Sequence, residues 1–312
     1  MQSQGSGAAI AARSGSQGGI MSVDIARVFS DSWAMIKQRF FQLLGMWIVF
    51  LVINLLYMTI GGAFMGGSMF AMGAAATGVD DPGALLGGLG VGLVLMMILF
   101  YLGSMVIIFA QQCAMSALGT PLRQTPFNEA MVAGFKGGVT FIAVSILLAI
   151  AYFAFFLAYT LIGMVLSLIG EAAVVLTAVL FLPLLIYLAL RLSVIVPVVA
   201  VDRVFNPITA IRRAWGMTSG NVLSILGVYL VIIALALVLL IVPFSLMFGS
   251  VFIAGATGSD AASLAAAGSV IGGFLLIIPL FLIYSVIAIV IGACLHAQLT
   301  DTRAEEATRT FS

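Results

Sequence analysis

One histidine, His296, stands in a chain of 312 residues, and that count decides several catalytic questions. Zinc hydrolases of the HExxH type need two histidines on one helix face, so that chemistry is excluded. A phosphate-binding P-loop needs Gly-Lys-Ser/Thr, whereas the two lysines, Lys37 and Lys136, follow Ile36 and Phe135. An intramembrane nucleophile pair would have to join His296 to Cys113, and nothing in the sequence orients the imidazole. No residue is assigned a catalytic, metal-binding or cofactor role, and the chain reads as non-enzymatic with no cofactor. Cys113 and Cys294 read as two small buried thiols rather than a disulfide.

Arg191 is the most informative polar residue because it falls inside an apolar run, one and a half turns before Pro197. A guanidinium at that depth is costly unless it is paired or reaches water. The structural expectation is that its long side chain reaches back to the membrane face and pairs with Asp202 or with a carbonyl freed near Pro197. The functional expectation is a lipid phosphate or other anion held by Arg191 with Arg212 and Arg213, Asp202 standing beside them.

These residues are set in a chain that is 63% hydrophobic and only 7% charged. Its mean hydropathy is +1.27. A water-exposed surface needs about 25% charged residues, so the solvent for this chain is lipid. The net charge of +1 says little. Apolar runs of spanning length occur at 40–60, 89–117, 139–162, 172–200, 222–248 and 270–298, which predicts an all-α polytopic protein with six transmembrane helices.

The cations then set the orientation. Arg13, Arg27, Lys37 and Arg39 precede span 1, and Arg123 and Lys136 separate spans 2 and 3. Arg191, Arg203, Arg212 and Arg213 lie in or after span 4, and Arg303 and Arg309 follow span 6. The alternate connections carry only Asp80, Asp81, Glu171 and Asp260, which places both termini in the cytoplasm. Trp33, Trp47 and Trp215 all fall toward that side and are expected to be interfacial anchors. On the other side, the small-residue pairs Gly88/Gly92 and Gly268/Gly272 are expected to bring helices close together. Pro183, Pro243 and Pro279 fall inside spans, where kinks are expected.

Short amphipathic segments precede spans 1, 3 and 5 and are expected to lie as interfacial helices on the cytoplasmic face. In the first, Ile25, Val28, Phe29 and Ile36 recur at helical spacing, with Asp24 as N-cap. In the third, Asn206 and Pro207 open a helix whose apolar stripe is Ile208, Ile211 and Trp215. Aligning Trp33, Phe135 and Trp215 places Asp24, Pro126 and Asn206 each nine residues upstream. Gly45 and Gly227 then correspond, while the middle copy has Leu147, so the first and third copies match best. The pattern predicts parallel repeats of interfacial helix plus hairpin about an axis along the membrane normal.

Residues 1–21 are Ser-, Gly- and Gln-rich and read as a disordered arm without a signal-peptide core, with Met21 an alternative translation start. Residues 22–299 form the membrane domain, and 300–312 a cytoplasmic tail.

The segment RLSVIVPVVAVDRVFNPITAIRRAWGMTSGN, residues 191–221, resembles the signature of the glycerophosphoryl diester phosphodiesterase membrane-domain superfamily and its YciC-like inner-membrane relatives. Arg191, Pro197, Asp202, Ala210, Trp215, Thr218 and Gly220 stand at the signature positions, with Asp202 in place of the usual Glu. FSDSWAMIKQRFFQLLG is similar to the opening of that family, so the resemblance covers about residues 21–296. It implies a membrane domain of the bacterial inner membrane. The phosphodiesterase chemistry of fused members needs paired histidines, which this chain lacks.

Composition, topology and resemblance together lead us to expect a non-enzymatic multi-pass protein that binds lipid or serves as an accessory or scaffold subunit of a membrane complex. Its expected partners are membrane lipids, through anionic headgroups at the cytoplasmic face, and other membrane proteins or a second copy of itself, not nucleic acid. The alternative is a permease for an apolar or anionic solute, since no Asp or Glu lies well inside a span to relay protons.

Overall fold

The computed structural model describes residues 23–76, 82–168, 170–257 and 260–311. Its elements are α1 (Ile25–Ala76), α2 (Pro82–Gly119), α3 (Phe127–Ser167), α4 (Glu171–Leu192), α5 (Ile195–Ala200), α6 (Pro207–Met217), α7 (Val222–Thr257) and α8 (Asp260–Phe311). Among the described residues there is no strand. Inside hydrocarbon every backbone N–H and C=O must find its partner within the chain, and a helix is the local solution. Six helical stretches are long and apolar enough to cross a membrane: Ile25–Phe64, Val91–Gly119, Phe127–Ser167, Phe181–Ala200, Val222–Thr257 and Leu264–Thr302. The chain is an all-α, multi-pass membrane protein.

The three amphipathic segments join their spans in different ways. The first runs into α1 through a kink at Arg39, whose φ of −118° and ψ of 20° leave the helical region. The second is the opening of α3 and continues into the span without a break. The third is the separate helix α6. Asn206 Oδ1 accepts from the backbone N–H groups of Ile208 and Thr209, and Pro207 occupies the first turn, where no backbone donor is needed. Asp24 caps α1 in the same manner, through Arg27 N–H at 3.3 Å.

The apolar stripe of α6 divides between the bundle and its outer face, Ile211 packing against the core. Ala210, Ala214 and Met217 are the buried residues, while Ile208 and Trp215 are exposed. Small side chains let the α6 backbone approach the bundle, and the large apolar ones are left for the bilayer. In α1 the recurring apolar residues face the bundle, with Val28 and Ile36 in the core and Ile25 and Phe29 packed on it.

Burial extends the repeat to its middle copy. The aligned triplets Val28/Ala130/Ala210, Ser32/Gly134/Ala214 and Met35/Gly137/Met217 are all buried, and Trp33, Phe135 and Trp215 are all exposed. The second helices of the three hairpins meet at the centre, where α2 packs on α8 and α5, and α5 on α8. Each also packs on the first helix of the next hairpin: α2 on α3, α4 on α7, α8 on α1. A Cβ on Gly45 would lie 3.8 Å from Phe127 Cε2, and one on Gly227 would lie 2.7 Å from Ile25 Cδ1. Phe127 and Ile25 occupy the same repeat position, so hairpin one meets the start of unit two and hairpin three meets the start of unit one. Val23 N–H, donating to Asn221 Oδ1 at 3.2 Å, ties that last junction.

Close helix approach occurs elsewhere than the glycine pairs predicted. Gly92, Gly268 and Gly272 have open space where a Cβ would stand, and Gly88 has no described side-chain environment. The tight seam is α2 against α3. A Cβ on Gly134 would meet Ala110 O at 2.6 Å, and one on Gly138 would meet Val106 O at 2.6 Å. The buried core is concentrated in the half of the bundle that carries the cations, around Leu43, Phe50, Leu118, Val199, Ile291 and Leu295. The other half exposes large apolar side chains such as Leu55, Ile98, Phe153 and Ile241.

Candidate functional site

The break between α4 and α5 organises the site. Ser193 and Val194 interrupt the helix just before Pro197, which has no N–H to donate, and Arg191 stands at the end of α4. Arg191 Nη1 donates to Trp215 O at 3.0 Å and Nε donates to Tyr187 Oη at 2.9 Å. Its guanidinium carbon lies 4.8 Å from the Trp215 ring centre and 5.3 Å from that of Tyr187. The two rings meet edge to face, so the cation sits in an aromatic corner. Thr218 Oγ1 lies 3.1 Å from Arg191 O, which accepts back from α6 to α4, and 3.0 Å from Ala214 O. Gly220 closes this turn at φ +83°, a region that favours glycine. Arg191, Trp215, Thr218 and Gly220 of the sequence signature thus form one local constellation.

The partner of Arg191 is neither Asp202 nor a carbonyl near Pro197. Asp202 Oδ2 instead accepts from Arg213 Nε at 2.7 Å and lies 3.2 Å from His296 Nε2. The carboxylate is 11% exposed and the imidazole is fully buried, so this is an internal tether between the α5–α6 connection, α6 and α8. Burial pushes the Asp202 carboxyl up. The hydrogen bond and charge of His296, followed by those of Arg213, outweigh it and hold the group below the usual carboxylate range. His296 is therefore oriented after all, by a carboxylate on the α5–α6 connection, and Cys113 Sγ lies against the backbone of Gly137. Both thiols are free and buried. A second clasp that sequence reasoning missed brings Arg123 and Arg203 onto Glu129. Arg203 reaches it from a left-handed backbone at φ +55°.

The residues predicted to hold an anion are thus divided. Arg213 and Asp202 neutralise each other, Arg191 is held by α6, and Arg212 is exposed without an ion pair among the described residues. Trp33 and Trp215 are exposed. Trp47 is 7% exposed and lines a cavity, because its turn of α1 faces α2 and α8.

Two adjoining clefts open between the helices, their mouths flanked by exposed residues such as Leu51, Ile233, Ile278 and Phe281. One, of about 380 Å³, is lined by Ser116, Ser193, Pro197, Tyr229, Tyr284 and Gly292, among others. The other, of about 450 Å³, includes Trp47, Phe50, Asn54, Gln111, Ile278 and Ile289. Gln112, Phe281, Ser285 and Ile289 belong to both. Tyr229 Oη donates to Ser193 O, the carbonyl at the α4–α5 break, at 3.4 Å. Ser116 Oγ is buried with no partner, and the amides of Asn54, Gln111 and Gln112 make no side-chain hydrogen bond to any described residue. No Asp, Glu, Lys, Arg or His lines either cavity. Neutral amides and hydroxyls on an otherwise apolar wall suit an uncharged polar group attached to hydrocarbon. Among the described residues no cluster of His, Cys, Asp and Glu has the makings of a metal site.

Comparison of the chain with family models, with curated proteins and with solved structures finds no match.

Proposed function

We propose that the chain is a non-enzymatic lipid-binding protein of the bacterial inner membrane, with both termini in the cytoplasm. The ligand lies in the paired cavities with its polar group at Asn54, Gln111, Gln112 and Ser116 and its hydrocarbon against Phe50, Phe281 and Ile289. One observation carries this reading: partly exposed amides and the buried, unpartnered Ser116 hydroxyl converge on apolar clefts that open between the helices of a membrane protein. Polar groups left unpaired against apolar walls and lipid are costly, and a ligand or water that pairs them recovers that cost. The absence of a charged side chain from the lining favours a neutral or distant headgroup over a permeating ion.

The test is purification in native lipid with the bound lipids identified by mass spectrometry, comparing wild type with Gln111→Leu/Gln112→Leu. One lipid enriched over the bulk membrane in wild type and lost in the double variant supports the proposal. Bulk lipid composition in both sinks it. The permease alternative draws on the placement of the clefts between α2 and α8. Against it stands the buried core of the cation-bearing half, with Leu118, Val199 and Leu295 closing the bundle. Solute flux into proteoliposomes above that of empty vesicles would favour the permease. A stoichiometric protein recovered in the same purification would favour the accessory-subunit role.

A further inference from the structure

A third cavity lies apart from the paired ones, on the outside of the bundle between α1 and α8. It has a volume of about 510 Å³ and is lined by Trp33, Ile36, Lys37, Phe40, Phe41 and Leu44 of α1 with Leu282, Ile283, Val286 and Ile287 of α8. Its origin is the kink at Arg39. That residue leaves helical geometry and turns its guanidinium into the bundle, where Nη1 donates to Leu118 O at 2.8 Å. The residues on either side of the kink are left lining a wedge, with Phe41 84% and Trp33 56% exposed. Lys37 is the one charged residue in the lining. Its ammonium lies 5.1 Å from the centre of the Trp33 ring and has no ion pair among the described residues. Asp31, the nearest acidic residue on α1, is already paired with Arg27.

We infer that this groove binds one anionic phospholipid, its phosphate at the Lys37 ammonium beside Trp33 and an acyl chain running along α1 toward Leu44 and Leu282. The match is amphiphilic in one direction. The cation and the indole mark the headgroup end, and beyond them the walls are hydrocarbon and aromatic for almost two helical turns. A lysine on a flexible stem suits a mobile phosphate at the interface, and the indole holds the same depth by burying its ring and keeping its N–H toward water. A soluble anion would leave the apolar walls uncovered, and a zwitterionic lipid would leave the lysine without net counter-charge. The inference rests on the chain being embedded in lipid and not on the ligand of the paired clefts.

The test uses the whole protein in nanodiscs and reads Trp33 fluorescence. Lipids brominated on the acyl chain quench a nearby indole, and they are supplied either as phosphatidylglycerol or as phosphatidylcholine at equal mole fraction in a phosphatidylcholine background. In wild type the anionic quencher is expected to occupy the Trp33 site with about fivefold preference, the factor one lysine near an anionic surface gives. Lys37→Gln is expected to remove the preference and Lys37→Arg to keep it. Trp33→Phe should abolish the headgroup-selective part of the signal while leaving circular dichroism unchanged. Equal quenching by the two lipids in wild type overturns the inference, as does a preference that survives Lys37→Gln. A selective signal that survives Trp33→Phe overturns it too, because the lipid then sits near another indole.

Discussion

Gly138→Ala should open the bundle along its tightest seam, and the same substitution at Gly272 should not. A Cβ at 138 would stand 2.6 Å from Val106 O and 3.0 Å from Ala110 N, both main-chain atoms of α2 that cannot swing aside. Bringing the oxygen contact to an ordinary 3.4 Å requires α2 and α3 to part by roughly 0.8 Å there. A gap of about 0.5–1 Å forfeits roughly a quarter to a half of each dispersion contact along a seam, and overpacking of this kind costs about 1–3 kcal/mol. The gain from replacing a mid-helix glycine, about 1 kcal/mol, offsets part of it. The net expectation is a loss of about 0–2 kcal/mol for Gly138→Ala, and more for Gly138→Val, whose β-branch has nowhere to go. At Gly272 there is nothing within 4 Å, so only the helical gain remains and the variant should equal or slightly exceed wild type. Reversible unfolding in mixed micelles, followed by helical circular dichroism, measures both. If the two alanine variants shift stability equally, the packing argument fails and glycine acts here only through backbone propensity.

Three other outcomes are expected. Thr218→Val keeps shape but removes the hydroxyl that binds α6 to Arg191 O, and should cost about 1 kcal/mol in the same unfolding assay, with Thr218→Ser close to wild type. For Asp202 the folded carboxyl lies below its ordinary value of 3.8, so its contribution is fully present above about that pH and is lost as pH falls through the lowered value. Asp202→Asn should cost about 1–3 kcal/mol at neutral pH, Arg213 being half exposed, and should flatten that acid limb of the stability profile. Single cysteines at positions 206 and 80 should label from opposite sides of sealed vesicles, 206 from the cytoplasmic side, and labelling of both from one side would contradict the charge-based topology.

The spans were legible because hydrophobicity over twenty residues is a property of composition alone, and the caps at Asp24 and Asn206 because one side chain satisfies its own helix. The repeat was legible at its aromatics, but its middle copy was hidden: Gly134 and Gly137 occupy positions held by Ser32 and Met35, so burial is shared where residue type is not. What stayed open was which face a helix turns inward. In water the large apolar residues would point in. In lipid they are as comfortable outside, which is why Ile208 and Trp215 face outward while Ala210 and Ala214 are buried. The same reversal explains the glycines, since Gly268 and Gly272 match a contact motif that nothing approaches. Arg191 stood out in the sequence as a charge inside an apolar run, but its partner is a backbone carbonyl 24 residues away that no charge pattern reports. The converse holds for Trp47, whose sequence position near an interface gave no sign that its turn looks into the bundle.

The junction at Val23 and Asn221 sets the order in which the protein can be completed. The first hairpin leaves the ribosome with the beginning of α1 lacking the loop and the glycine face it finally rests on, because Asn221 and Gly227 are made some two hundred residues later. The first helix must wait in the membrane while four more spans are inserted, and only the arrival of the last hairpin lets α8 close against it. A nascent chain halted before α7 is a ring with its seam undone, exposing the α1 surface on which a chaperone or quality-control protease would find it.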